Sequence, residues 1–107
     1  MTISSFTDAH VISLRRATQG LIKFCEDHGY DVGGVNELRT CLKALANKDM
    51  KSAMQAYQRV PLGGMGRFDD WLPPVVFPHE NADYVRAVFE ALVTQWSLLM
   101  RLSLPPN

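Results

Sequence analysis

Between Val11 and His28 the apolar positions return in alternating steps of three and four residues: Val11, Leu14, Thr18, Leu21, Cys25 and His28, supplemented by Ile22 and Phe24. That spacing gathers them on one face of an α-helix and leaves Arg15, Arg16, Gln19, Lys23, Glu26 and Asp27 on the other. Ser5-Phe6-Thr7-Asp8 reads as a capping box, with aspartate where glutamate or glutamine is usual, and Gly29 as a left-handed stop. The pattern predicts a helix over about 6–28, about 34 Å long at 1.5 Å per residue.

Tyr30-Asp31-Val32-Gly33-Gly34 then reads as a turn. Leu38, Cys41, Leu42 and Leu45 share the next face, over 35–47, and Met50, Ala53, Met54 and Tyr57 share another, over 49–59. Asn47-Lys48-Asp49 is a soft break between them. Alanine, methionine and lysine all favour helix, so spacing leaves open whether 35–59 is one kinked helix or two. Pro61 ends this run and pushes Val60 toward extended geometry.

From 61 to 79 the chain is irregular and rich in glycine, proline and aromatics, a long connection for so small a domain. Glu80 or Asn81 caps the last helix, over 81–103, and Asp83 suits its first turn. Val85, Val88, Phe89, Leu92, Trp96, Leu99 and Met100 form its stripe, which Ala87, Ala91, Leu98 and Leu102 widen well beyond one face. Such a helix is either wrapped on two sides or shared with another chain, so a homodimer through the C-terminal helix is one expectation. Val75-Val76-Phe77 is the one strand candidate, and its flanking prolines demote it. The expected fold is a single all-α domain over 1–107: an irregular four-helix bundle with a long ordered loop before the C-terminal helix, which serves as its spine.

Composition adds boundaries. With 107 residues, 47% hydrophobic and 21% charged, the chain matches an ordinary one-domain globular protein. Eleven basic and eleven acidic residues cancel, so no global field points to nucleic acid or a membrane surface. Lys43, Lys48, Lys51 and Arg59 make the middle of the chain locally basic, which reads as a solvated face. Arg86, Glu90, Gln95 and Arg101 interrupt the most apolar window and argue against a membrane span. The first residues lack a basic region followed by an apolar run, which leads to a cytoplasmic expectation. Cys25 and Cys41 match no zinc or redox spacing and are expected to be buried, reduced thiols.

The candidate chemistry is thin. Gly63-Gly64-Met65-Gly66 lacks the lysine and the strand–helix context of a phosphate loop, so its glycines read as turn formers. Arg67, Asp69 and Asp70 are able to form local ion pairs or cap backbone amides, without the ordered oxygen ligands of a cation site. Phe68 and Trp71 are expected to anchor the loop on the bundle. His10 and His28 lie about 27 Å apart on one helix and share no metal; His79 with Glu80 is able to approach one of them, not both. Cys25 with His28 reads as packing rather than an activated thiol. Met50, Met54, Met65 and Met100 are able to line a soft partner-binding groove, but at helical spacing they read as ordinary core. No cofactor or metal is expected.

The run Gly63-Gly64-Met65-Gly66-Arg67-Phe68-Asp69-Asp70-Trp71, followed by Pro74-Val75-Val76-Phe77-Pro78-His79-Glu80, resembles small bacterial helical proteins that carry a Gly-Gly-Met-Gly loop before a C-terminal helix. The resemblance implies the helical fold and names no activity. It is compatible with immunity proteins, small helical chains that neutralise a toxin by occluding it. The expected function is therefore non-catalytic protein binding of that immunity type. Its contact residues would be Met65, Arg67, Phe68, Asp69, Asp70, Trp71 and His79. The alternative is a small enzyme or ligand-binding domain in which Arg67, Asp69, Asp70 and His79 converge.

Overall fold

Helices α1 (Thr2–Asp27), α2 (Gly33–Ala46), α3 (Met50–Arg59) and α4 (Ala82–Leu102) follow one another along the chain. The structure, a computed structural model, describes the backbone of residues 2–30, 33–60, 62, 68 and 71–103 and, outside 2–8 and 33–34, their side chains. Among the described residues there is no strand, and the fold is an all-α four-helix bundle. α1 packs against both α2 and α4, α2 and α3 form a close hairpin, and α3 touches α4.

The first two helices end in the same motif. Gly29 takes φ 81° as α1 closes, with Gly29 N–H donating to the Glu26 carbonyl (3.4 Å) and Tyr30 N–H to the Cys25 carbonyl (2.8 Å). Lys48 takes φ 58° after α2, with its N–H on the Leu45 carbonyl (3.0 Å) and Asp49 N–H on the Ala44 carbonyl (2.8 Å). Both are Schellman closures, which satisfy carbonyls the helix end leaves free. Lys48 separates α2 from α3, so residues 35–59 hold two helices rather than one with a kink. Asp49 starts the second: its carboxylate accepts from the Ser52 N–H (3.1 Å) and hydroxyl (2.7 Å), and these bonds hold its carboxyl below its usual range. Asn81 does the same for α4 by accepting from the Tyr84 N–H at 2.8 Å.

Two boundaries differ from expectation. α1 begins at Thr2, ahead of Phe6, so Ser5 lies inside a helix and its capping-box pattern does not mark the start. α2 begins at Gly33, so the paired glycines form its first turn instead of preceding it.

The anticipated stripe of α1 is the core. Val11, Leu14, Thr18, Leu21, Cys25 and His28 are all buried, and the Thr18 hydroxyl meets its own need by donating to the Leu14 carbonyl at 2.7 Å. Leu38, Cys41 and Leu45 of α2, Ala53 and Ala56 of α3, and Val85, Phe89, Val93, Trp96 and Met100 of α4 complete it. Small alanines at the α3 contact let its backbone approach. Tyr57 packs edge-on against Trp96 (5.3 Å between ring centroids), and its hydroxyl lies 3.2 Å from that of Ser97.

Cys25 and Cys41 are free and buried, and burial pushes their thiols up to about 12 and about 11 respectively. In Cys25 the neighbouring Glu26 adds to that rise and Arg39 opposes it. Trp96 and Thr18 oppose the rise in Cys41. Among the described residues the buried Trp96 Nε1–H meets no nitrogen or oxygen acceptor; its polar neighbour is Cys41, whose sulfur is a weak acceptor.

Candidate interaction surface

Aromatic rings close one end of the bundle. Phe89 of α4 lies 5.9 Å from Phe24, 5.7 Å from Phe68 and 5.1 Å from Trp71, between ring centroids. Tyr30, just past α1, stacks on Phe68 at 5.1 Å and tilts against Trp71 at 4.3 Å, while its hydroxyl donates to the Phe68 carbonyl at 3.4 Å. Offset and edge-to-face pairs of this kind are favourable beyond the area they bury. The C-terminal end of α1, with Tyr30 just past it, and α4 thus grip the connection at Phe68 and Trp71.

A second anchor follows. Phe77-Pro78-His79-Glu80 is a turn, with Glu80 N–H donating to the Phe77 carbonyl at 3.0 Å and proline at the position that favours its fixed φ. The Glu80 side chain folds back over that turn. Its Oε1 accepts from the Val76 and Phe77 N–H groups, each at 3.0 Å, and its Oε2 lies 2.7 Å from His28 Nε2. Both side chains of the pair are only 4% exposed. On its other side the His28 ring donates from Nδ1 to the Phe24 carbonyl at 2.8 Å. Each ring nitrogen therefore has an acceptor oxygen within hydrogen-bonding reach. Burial opposes ionisation of Glu80, but the Phe77 and Val76 amides together with His28 outweigh it and hold the carboxyl at about 2. Phe24 stacks on the His28 ring at 4.0 Å and Phe77 meets it edge-on at 5.6 Å.

Between the anchors the backbone of 71–76 has no regular structure, and its apolar side chains face out. Leu72 is 67% exposed, Val75 50%, Val76 49% and Phe77 38%. Pro73 is buried beneath them. The result is an apolar ledge fixed at each end by buried contacts.

Of the residues expected to meet a partner, Phe68 is buried and serves as an anchor; its ring offers no contact surface. Trp71 is half-buried against the aromatic cluster. His79 is exposed, parallel to Phe77 at 6.0 Å and edge-on to Tyr84 at 5.8 Å. Met65, Arg67, Asp69 and Asp70 lie outside the described residues, as does any convergence of the last three with His79. Among the described residues no group of three or more His, Cys, Asp or Glu side chains is placed to hold a metal. Reading the sequence for surface chemistry missed the exposed valines; it left open whether His79 and Glu80 approach His10 or His28, and the structure brings Glu80 to His28. The available signals were the apolar run Val75-Val76-Phe77 without a helical period, and a histidine on the apolar stripe of α1 that needed a partner.

No described helix is long and apolar enough to cross a membrane. Comparisons with protein families, with curated proteins and with solved structures find no match to this chain.

Proposed function

We propose that this chain is a non-catalytic protein-binding module whose contact surface is the ledge Leu72–Phe77 together with the half-buried Trp71 and the exposed His79. The observation that carries this reading is the exposure of Leu72, Val75, Val76 and Phe77 on a segment clamped by the aromatic cluster and by Glu80. Clustered apolar side chains in water favour association, and a pre-ordered segment loses little conformational entropy when a partner covers it. The immunity form of this reading has the ledge occlude a toxin.

The test is affinity capture with the full chain, beside a Leu72→Asp/Val76→Asp variant whose helicity is verified by circular dichroism. A protein retained by the wild type and lost from the variant supports the ledge. If that protein is a toxin, inhibition of its activity by the wild type and not by the variant supports the immunity role. A partner held equally by both chains removes the ledge from the reading, and capture of no partner removes the module itself.

A further inference from the structure

The outward face of α4 carries a second exposed apolar strip, which begins at Tyr84 beside His79 and runs along the helix away from the ledge. Tyr84, Ala87, Ala91, Thr94 and Leu98 recur in steps of three and four and are all exposed, with Leu102 one turn beyond. Tyr84 is 45% exposed, Leu98 48% and Leu102 67%. This is the widened arc of the helix, and no element of the bundle covers it. The strip is polar at one point along its seam, Thr94, and is therefore a poor solvent-facing surface for a helix of its length.

Its side chains are arranged so that the strip fits itself when reversed. The small residues Ala87 and Ala91 occupy the first half, and the large Leu98 and Leu102 the second. A two-fold axis beside residues 92–93, perpendicular to the helix, sets Ala87 opposite Leu98 and Tyr84 opposite Leu102. Hollows in each copy then meet knobs of the other. The same axis keeps each flank of the strip on its own side. Asp83 and Arg101 lie on one flank, eighteen positions and five full turns apart at 3.6 residues per turn. Reversal brings Asp83 of one copy beside Arg101 of the other, twice. Neither residue has an ion-pair partner among the described residues, although Arg86 and Glu90, on the same flank, are paired with each other. Parallel pairing in register would instead oppose Asp83 to Asp83 and Leu98 to Leu98. Antiparallel pairing also opposes the two helix dipoles favourably.

We propose that α4 is a self-association surface, paired antiparallel with α4 of a second copy about a two-fold axis near residues 92–93. The interface is isologous, so each favourable contact occurs twice. Alongside the strip a groove of about 420 Å³, lined by Ser13, Arg16, Ala17, Leu92, Gln95 and Leu99, receives the flank of the partner helix near its Val88. A single helix pair buries less than the roughly 800 Å² per partner of a standard interface, so the dimer forms reversibly and its population depends on concentration.

Sedimentation velocity of the full chain across a wide concentration series tests this, with circular dichroism on every variant to verify folding. The wild type is expected to pass from monomer to dimer, and Leu98→Asp to remain monomeric throughout. Asp83→Arg and Arg101→Asp are each expected to weaken the dimer about tenfold, and the double exchange to restore it. Wild-type chain that stays monomeric at the highest concentration overturns the proposal. So does a dimer indifferent to Leu98→Asp. A dimer that loses affinity in both single exchanges and does not recover it in the double overturns the antiparallel register.

Discussion

His28 and Glu80 are 52 positions apart in the chain, yet His28 Nε2 and Glu80 Oε2 lie 2.7 Å from one another in a setting nearly closed to water. The contact joins the C-terminal end of α1 to the turn that introduces α4. Glu80 also accepts two backbone N–H groups of that turn, so one carboxylate sets the local turn and its docking on the bundle together.

Removing either side chain leaves the other buried without its partner, which costs more than the pair gains over an apolar substitute. Glu80→Gln and His28→Gln are each expected to lower Tm by on the order of 5–10 °C. The double variant is expected to fall well short of the sum, because the second change removes a group already orphaned. Thermal unfolding of the four chains measures that coupling; strictly additive losses would show that the two side chains act independently.

The pH dependence follows from Glu80. Its carboxyl titrates at about 2 when folded, against an ordinary value of 4.5. A depressed folded value means the ionised form stabilises the native state. That contribution is complete above pH 4.5 and is lost as pH falls toward 2. The Tm difference between wild type and Glu80→Gln is therefore expected to shrink on acidification through this window. Thermal melts from pH 7 to pH 2 follow it.

The two Schellman closures predict changes of different size. A side chain at Gly29 would meet no atom within 4 Å, so Gly29→Ala carries only the backbone cost of φ 81°, about 1–2 kcal/mol. Lys48 already bears such a cost at φ 58°. Lys48→Gly removes it, but also adds freedom to the unfolded chain and loses the interactions of the Lys48 side chain, so its net effect is expected to be below about 1 kcal/mol. Urea denaturation resolves both.

The cysteines are expected to stay silent in the folded protein. With thiols at about 12 and about 11, both buried, neither forms appreciable thiolate near neutral pH. A disulfide-exchange reagent should label neither residue under native conditions and both in denaturant. Rapid labelling of the native protein would contradict the burial of both thiols.

Phe89 tests the aromatic anchor. It touches the rings of Phe24, Tyr30, Phe68 and Trp71, and Phe89→Ala is expected to cost about 3–5 kcal/mol. Leu72→Ser, on the open ledge, is expected to change stability by less than about 0.5 kcal/mol. Chemical denaturation of both variants separates the anchor from the surface it supports.

Periodicity determined the inward stripe of α1, most of that of α2, and where α3 and α4 run, while Ala17, Ala44, Ala56 and Val93 are buried outside the expected stripes. Val11 through His28, Leu38 through Leu45 and the Val85–Met100 stripe are local patterns, set by 3.6 residues per turn and the need to shield apolar surface from water. The break at Lys48 was legible as soft punctuation, but only the closed Schellman bonds make it a separation of two helices. Tertiary structure decided everything that depends on meeting across the chain. It leaves Val75 and Val76 in water, and leaves Leu98 and Leu102 uncovered although they belong to the same apolar arc as buried Trp96. It also gives His28 its carboxylate. A hydrophobic pattern records a side chain's preference for burial, whereas its partner is chosen by how separate helices pack, and no local period encodes that choice.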